Sequence, residues 1–325
     1  TVRTREVPGQ AAARLDIRRS IPPDPRDDRH RYTRAMRHAS RAITAVLVLL
    51  ACATCSSAAP SGTAPMWRVS TAGGSVDLVG SVHVLRQGTP LPPAARIAVE
   101  TADVVVFETD LDGLASASLG MLARGTLPEG TSLRDVVSES TYREVARRLD
   151  ASDLDIESFS TMRPWMLGLT IASFELLRAG FSPSEGVDIR LWELAGEAGA
   201  ERRALETVDE QIALFAELDR EQSEAFLRYT LDDLDTLITS LDELTRAWAV
   251  GDMEELGTLL HEGFEEAPDL FDSFVTRRNR AWLPEIESLL RQGRPALVVV
   301  GALHLVGDGG LIEMLRERGY RVQQL

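Results

Sequence analysis

The pattern of apolar and polar positions divides the chain into strand-bearing ends and a helical middle. Alternating apolar residues over 66–71 and 76–82, on either side of a Gly-Gly turn, predict a β-hairpin. A helix is expected over 91–102, where proline stands in the first turn. The apolar run of 103–111 then predicts a strand that is buried on both faces.

Residues 112–292 carry apolar positions at three- and four-residue spacing with acidic opposite faces, which predicts helices almost throughout. A short strand at 202–206 is the expected exception. After this segment, "PALVVVG", "GLIEMLRERG" and "YRVQQL" predict a strand, a helix and a closing strand. Strand-bearing ends around a helical middle predict an α/β fold. Its central mixed β-sheet is built from the N- and C-terminal segments, with a large helical insertion at about 112–292.

The first 59 residues stand apart from this pattern. Residues 1–35 are rich in Arg, Pro and Asp and lack apolar periodicity, which predicts disorder or an over-extended gene start. Residues 36–59 follow the layout of an export signal, because arginines precede a short apolar stretch and then small residues. We therefore expect Met36 to be the true start, residues 60–65 to be a linker, and 66–325 to be the folded domain.

Both cysteines lie in this leader, at Cys52 and Cys55. "LLAC" is an imperfect lipoprotein box, so two outcomes stay open: a lipid anchor at Cys52 or cleavage near Ala59. Either outcome predicts an exported protein that is periplasmic, secreted or lipid-anchored at the cell envelope. Because residues 66–325 contain no cysteine, disulfides, zinc–thiolate sites and cysteine nucleophiles are excluded there.

The net negative charge of the domain argues against some classes of binding partner. The chain has a formal net charge of −15 and no lysine; since residues 1–59 hold 11 Arg and five acidic residues, the remainder carries −21. So acidic a domain is a poor candidate for binding nucleic acid or an anionic membrane. We expect no nucleic-acid partner, and contact with a membrane only through a lipid anchor.

Two predicted strands end in the same Gly-x-x-His pattern, in a chain with only five histidines. "VDLVGSVHVL" ends at His83 and its near repeat "LVVVGALHLV" at His304, and in each the glycine allows a sharp turn or a close backbone approach. Glu108 ends a third apolar run, "VVVFE". Ligands bind beyond the carboxyl ends of the strands in open α/β sheets. If the three strands are neighbours, His83, Glu108 and His304 converge.

Two imidazoles and a carboxylate are compatible with two kinds of chemistry. They could bind a divalent transition metal that activates water, or act without metal, with histidine as general base and Glu holding its tautomer. A cation would polarise a substrate carbonyl, and "VTRRNRAW" offers Arg277, Arg278 and Arg280, among which the pattern does not choose. His261 does not complete a helical His-Glu-x-x-His motif, because Glu265 stands at the last position, and it is expected on a helix surface.

The same segments resemble a known family. "MWRVSTAGGSVDLVGSVHVLRQG", "EGVDIRLWELAGEAG", "RRNRAWLPEI" and "LVVVGALHLVGDGGLIEMLRERGYRV" are similar in order and spacing to TraB/GumN-type proteins, which include the Tiki membrane proteases of animals. The resemblance spans about 66–325 and points to the bacterial GumN branch.

The resemblance implies an α/β core with a helical insertion, related to the erythromycin-esterase and haem-binding ChaN-like folds. It also implies a catalytic site of His83, Glu108, Arg278 and His304. Asp188, in "EGVD", stands where some relatives have Glu. For the Tiki relatives the implied activity is metal-dependent proteolysis.

These observations lead to three functional hypotheses. The first is an exported hydrolase, in its finer form a metal-dependent peptidase, acting on a peptide or small-molecule substrate. In it His83, Glu108 and His304 would hold a divalent metal (Mn, Co or Zn) or the attacking water, and Arg278 would stabilise negative charge. The second is a binding protein that holds a metal, haem or small ligand in the same cleft without turnover. The third is a scaffold whose acidic helices recruit a partner.

Overall fold

A computed structural model describes residues 65–262, 264 and 268–325 of the chain; the expected extension and export signal lie outside the described residues. Within them, a six-stranded sheet has the order β6-β4-β7-β2-β1-β8, and β3 pairs with β5 in a separate small ladder. The strands are β1 (Met66–Ser70), β2 (Ser75–Ser81), β3 (Leu85–Arg86), β4 (Val104–Phe107), β5 (Phe181–Ser182), β6 (Glu201–Ala204), β7 (Ala296–Gly301) and β8 (Arg321–Gln324).

The four strands β6, β4, β7 and β2 run parallel, so their carboxyl ends lie at one edge of the sheet. Phe107 pairs with Val299, and Ser81 pairs with Gly301, so β4, β7 and β2 end nearly level. Every residue of β4 and β7 is buried, as expected of apolar runs in a parallel sheet covered on both faces. β1 adds the antiparallel part by pairing with both β2 and β8.

Helices cover the sheet and fill the middle of the chain. They are α1 (Pro93–Thr101), α2 (Leu114–Gly125), α3 (Leu133–Val136), α4 (Glu139–Asp150), α5 (Pro164–Arg178), α6 (Val187–Ala198), α7 (Val208–Ala216), α8 (Arg220–Val250), α9 (Met253–Glu262), α10 (Pro268–Phe271), α11 (Arg277–Gln292) and α12 (Leu311–Glu317). Short 3₁₀ turns lie at Leu111–Gly113, Ile156–Phe159 and Ala302–His304, and a π-helical turn at Asp272–Thr276 precedes α11.

Local sequence signals fix several helix ends. Thr207 and Glu210 form a capping box at the start of α7, and Asp219 and Gln222 form another at the start of α8. α8 ends at Gly251, which has a φ of 71°. A side chain would be strained in this left-handed conformation, so glycine marks the stop of the long helix.

The helical insertion is anchored to the sheet through α8. Trp248, near the end of that helix, is buried, and its Nε1 donates a hydrogen bond to the carbonyl oxygen of Gly80 in β2 at 2.8 Å. Farther from the sheet, α5 and α8 share a second apolar cluster with α3 and α4. The insertion thus has packing of its own as well as a fixed position over the sheet.

The predicted α/β fold, with a mixed sheet and a large helical insertion, is confirmed. The strand predicted at 202–206 is β6, which joins the sheet at its edge from within the segment predicted as the insertion. Among the described residues, no helix is both long and apolar enough to span a membrane.

Candidate active site

His83 lies two residues beyond β2 and is held by the first turn of α6. The amide of Val187 donates to the carbonyl oxygen of Val82 at 3.0 Å, which docks the start of α6 beside His83. Asp188 then accepts a hydrogen bond from Nδ1 of His83 at 2.8 Å. Because a carboxylate only accepts, Nδ1 of His83 carries the proton, and Nε2 presents a lone pair while the ring is neutral. Nε2 is buried and has no hydrogen-bond partner among the described residues.

Glu108 follows β4 directly, and both of its carboxylate oxygens accept hydrogen bonds from N–H groups. Oε1 accepts from the amide of Gly301 at 2.6 Å, and Oε2 accepts from Nη2 of Arg278 at 2.6 Å. Nε2 of His83 and Nε2 of His304 each lie 3.9 Å from Oε1. The three strand ends therefore bring His83, Glu108 and His304 together, as their parallel order requires.

Arg278, the second residue of α11, donates all five of its N–H groups within the protein. Nε and Nη2 donate to Glu206, and Nη2 also donates to Glu108. Nη1 donates to the carbonyl oxygen of Phe274, in the π-helical turn, at 2.9 Å and to Nε2 of His304 at 3.0 Å. The guanidinium thus joins two strand-end carboxylates to the second Gly-x-x-His histidine and keeps no donor for a ligand.

His304 lies deeper than His83, with 1% of its surface exposed. Asn279 donates through Nδ2 to the carbonyl oxygens of His304 and Gly309, so its Oδ1 is left to accept from Nδ1 of His304 at 2.7 Å. Nε2 of His304 must therefore accept from Arg278. The ring of Trp282 packs against the imidazole, with 4.5 Å between ring centroids. His304 is thus fixed as a neutral acceptor.

The charge states follow from these contacts. Burial raises the pKa of Glu108, but Arg278, the two histidines and the Gly301 amide together outweigh it and lower that pKa to about 2, so the carboxylate is ionised. Burial lowers the pKa of His304 to about 3, so this imidazole is neutral. Burial also lowers the pKa of His83, yet the Asp188 carboxylate and Glu108 more than offset it, and the net pKa is raised. The pKa values of the two histidines are thus shifted in opposite directions.

A cavity of about 370 Å³ opens onto this cluster. His83, Glu108, Asp188 and Arg278 line one part of it, whereas His304 is not among the lining residues. The rest of the wall is largely apolar and comes from the 3₁₀ turn and three helices: Leu111, Met121, Trp165, Ile212, Leu214 and Phe215. His83 is therefore the histidine that a ligand in the cavity can reach.

Close approach accounts for the glycines of the two Gly-x-x-His motifs. Neither Gly80 nor Gly301 has a positive φ, so left-handed backbone freedom is not the reason for them. A β-carbon at Gly301 would lie 3.2 Å from Oε1 of Glu108 and 3.2 Å from Nε2 of His83. Glycine is needed there because the carboxylate and the imidazole occupy that space.

The remaining sequence candidates lie elsewhere. Arg277 and Arg280 have largely exposed side chains and face Asp272, so only Arg278 of the three arginines enters the site. His261 is half-buried on α9, where its ring contacts Phe271 and its Nδ1 donates to the carbonyl oxygen of Gly257. It packs between elements instead of facing solvent, which corrects the expectation of a simple helix-surface residue.

Sequence reasoning missed Glu206 as a site residue. It lies two residues past β6, and its amide donates to the carbonyl oxygen of Glu108 at 2.9 Å, which continues the parallel pairing beyond the strands. The signal was present, because Glu206 closes the predicted strand "RRALE" just as Glu108 closes "VVVFE". Polar residues that follow parallel strands are expected at the same sheet edge, so Glu206 could have been predicted as a fourth residue of the site.

Comparison with known proteins identifies the family of this chain. The model of the TraB/PrgY/gumN family matches residues 65–324. The chain belongs to the TraB/PrgY/gumN family. It is 26% identical over 240 residues to the uncharacterized protein YbaP of Escherichia coli, covering 74% of this chain and 87% of YbaP. No solved structure matches the chain.

Two relatives of this TraB/PrgY/gumN chain carry the name metalloprotease. The TIKI homolog of the sponge Amphimedon queenslandica is 29% identical over 195 residues, covering 52% of this chain and 38% of the relative. TIKI2 of Danio rerio is 22% identical over 301 residues, covering 76% of this chain and 57% of the relative. This likeness supports a hydrolase at the level of the family.

Of the three predicted metal ligands, His83 has the geometry of a metal-bound histidine, whereas His304 does not. His83 fits, because its Nδ1 is held by a carboxylate and its Nε2 is open, as in metal-bound histidines. His304 does not fit as a further ligand, because its one Nε2 lone pair accepts from Arg278 and its Nδ1 carries a proton; Glu108 keeps lone pairs although Gly301 and Arg278 donate to it. In the described part of the chain, no three His, Cys, Asp or Glu side chains are grouped to hold a metal. The predicted three-ligand set therefore disagrees with the observed hydrogen bonding.

Proposed function

We propose that this family member is a hydrolase in which His83 is the general base. One observation carries the proposal: a buried histidine has its Nδ1 proton held by Asp188 and its Nε2 lone pair unpartnered at the wall of a cavity. A carboxylate that fixes the tautomer and orientation of a catalytic imidazole is the arrangement found in acyl-transfer enzymes. The name of the TIKI relatives agrees with a hydrolytic reaction at a peptide bond.

In the proposed reaction, both proton transfers take place at Nε2 of His83. Nε2 accepts a proton from a water molecule as the water oxygen attacks the carbonyl carbon of the substrate. The imidazolium is stabilised by the Asp188 carboxylate at 2.8 Å and by the ionised Glu108, whose Oε1 lies 3.9 Å from Nε2. The same proton then passes from Nε2 to the leaving nitrogen or oxygen, the scissile bond breaks, and His83 returns to its neutral form.

Arg278 and His304 act in this proposal as positioning residues. Because every N–H of Arg278 is bonded within the protein, the guanidinium has none left to donate to a developing oxyanion. It keeps Glu108 ionised beside His83 and is itself oriented by His304. In this proposal Arg278 acts indirectly, instead of binding negative charge itself.

A metal of the Mn, Co or Zn class stays a prediction, and the proposed reaction uses none. It can be checked without an activity assay. After loading with each ion, elemental analysis should compare the wild type with the His83→Ala/His304→Ala double variant. Equal metal content in both proteins would place any bound ion outside this site, whereas metal lost only from the double variant would require Arg278 to leave His304.

The second candidate function is a binding protein that holds a small ligand in the same cavity without turnover. The saturated guanidinium favours it, because no free cationic N–H lines the described part of the cavity to stabilise an oxyanion while His83 is neutral. This alternative predicts ligand-dependent thermal stabilisation that is lost in His83→Ala, with no product detectable by mass spectrometry.

The test of hydrolysis is a reporter panel of neutral and charged peptide amides and esters, with products identified by mass spectrometry. His83→Ala should lower turnover by about 10²- to 10⁴-fold on any reporter that the wild type cleaves, because the general base is removed. The melting temperature is measured as well, because His83→Ala also removes the Nδ1 hydrogen bond to Asp188, and turnover is compared at a temperature where both proteins are folded.

The matched control is His261→Ala, which removes the half-buried histidine of α9 that does not line the cavity. It should leave turnover within about twofold of the wild type. Turnover by His83→Ala at the wild-type rate would refute the proposal. Absence of product on the whole panel, together with ligand stabilisation, would replace it with the binding function.

A further inference from the structure

Trp165 is a buried tryptophan whose indole N–H has no partner among the described residues. It lies in the first turn of α5, stacks on Phe215 with 5.8 Å between ring centroids, and lines the cavity. Two other buried tryptophans differ in this respect. Nε1 of Trp192 donates to Asp112 at 2.9 Å, and Nε1 of Trp248 donates to the carbonyl oxygen of Gly80 at 2.8 Å.

Three further unpartnered buried atoms belong to residues that line the same cavity. They are Nε2 of His83, Oγ1 of Thr109 and Oδ1 of Asp188. Buried polar atoms are satisfied in the great majority of cases, and each one left without a partner costs about 1–3 kcal/mol. Four of them around one cavity therefore indicate that the groups meeting them come from outside the chain. Because the indole Nε1–H of Trp165 is a hydrogen-bond donor, the ligand group that meets it must be an acceptor.

The remaining chemistry of the wall limits the charge of that ligand. Leu111, Met121, Ile212 and Phe215 present apolar surface. The lining charges are Glu108, Asp188 and Arg278, and the guanidinium is already bonded to Glu108 and Glu206. While His83 is neutral, an anionic group would find no free cationic N–H and would be repelled by the carboxylates. A cationic group would have to desolvate against the apolar wall, which is costly.

We propose that the cavity binds a neutral acyl or peptide residue with an apolar side chain, whose carbonyl oxygen accepts a hydrogen bond from Nε1 of Trp165. The cavity volume of about 370 Å³ suits a group of this size. As a statement about substrate class, this rests on the proposed hydrolase. As a statement about binding, it stands without turnover.

The test uses the full chain labelled with ¹⁵N and follows the five tryptophan indole N–H signals in two-dimensional NMR spectra. The signal missing from Trp165→Phe assigns Trp165. Three probes are titrated: N-acetyl-phenylalanine amide, N-acetyl-aspartate amide and N-acetyl-lysine amide. The phenylalanine probe should move the Trp165 signal downfield and saturate, while the Trp192 and Trp248 signals stay in place because their N–H groups are already bonded.

Affinity gives the second measurement. Trp165→Phe keeps an aromatic ring to stack on Phe215 but removes the N–H, so it should weaken binding of the phenylalanine probe about 3- to 10-fold. Trp67→Phe, the matched exchange at a buried tryptophan of β1 that does not line the cavity, should leave the affinity unchanged.

The outcomes separate the two proposals. A saturating shift of the Trp165 signal with the phenylalanine probe, with no hydrolysis by the wild type, would support the ligand class while the hydrolase proposal fails. Hydrolysis without preference for apolar residues, and unaffected by Trp165→Phe, would overturn the ligand class and leave the hydrolase standing. Equal shifts with the acidic or basic probe, or no shift with any probe, would also overturn it.

Discussion

A single guanidinium holds the chemical groups of this site together. Arg278 is 7% exposed and bonds to two carboxylates, an imidazole and a carbonyl oxygen at once. Its neighbours Arg277 and Arg280 are exposed on the same helix. The sequence could predict that one arginine of "RRNR" serves the site, but helical spacing could not say which one, because burial depends on how α11 packs on the sheet.

This network makes a prediction for the conservative exchange Arg278→Lys. Lysine has three N–H groups on one flexible nitrogen, so it cannot reach Glu108, Glu206, Phe274 and His304 together. At least one of the two carboxylates would then stay buried without its cationic partner. We expect the free energy of unfolding, measured by urea denaturation, to fall by about 3–5 kcal/mol.

Arg280→Lys on the exposed face of α11 is the control and should stay within about 0.5 kcal/mol of the wild type. A loss in Arg278→Lys no greater than that of the control would show that the guanidinium network does not hold the site together.

At the level of elements, the site is the common edge of four parallel strands. β2, β4 and β7 end almost level and deliver His83, Glu108 and His304, and β6 adds Glu206. This part was predictable, because apolar runs with polar residues at their ends are visible in the sequence. Asp188 and Trp165 come from the first turns of α6 and α5. Their contacts arise from the packing of helices far apart along the chain, which local patterns do not encode.

The close packing of these strand ends predicts the effect of Gly301→Ala. The added methyl group would lie 3.2 Å from both Glu108 and His83, so one of them must move. We expect a loss of stability of about 1–3 kcal/mol and at least a tenfold loss of turnover, measured by denaturation and by the reporter assay. Gly113→Ala meets no atom within 4 Å and should leave both quantities near wild type. Full activity in Gly301→Ala would mean that the close approach of the three groups is not required.

On the scale of the whole molecule, the leader (1–59) and the rest of the chain have opposite net charges. The first 59 residues are basic, whereas the rest carries a formal charge of −21. The leader lies outside the described residues, so its role stays a prediction from sequence. We propose that residues 36–59 direct export and that the acidic domain works outside the cytoplasm.

Fractionation of cells that express residues 36–325 tests this proposal. The protein should be found outside the cytoplasm, and deletion of residues 37–59 should retain it inside. Labelling with radioactive palmitate, abolished by Cys52→Ser, would identify the lipid-anchored form, whereas a mature N-terminus near Ala59 would identify cleavage. Uncleaved, unlabelled protein in the cytoplasm would contradict export.

The central claim is that Asp188 holds His83 as a base whose Nε2 faces the cavity. It is tested most directly by following the ring ¹⁵N shifts of His83, His261 and His304 by NMR as the pH is changed. We predict that the pKa of His83 lies above 6.5 and falls in Asp188→Asn, while His304 stays neutral with its proton on Nδ1 until the pH approaches about 3. Since the base must be neutral, kcat/KM should rise as the pH increases through the His83 pKa. A His83 pKa below 6.5, or one unchanged in Asp188→Asn, would contradict the account.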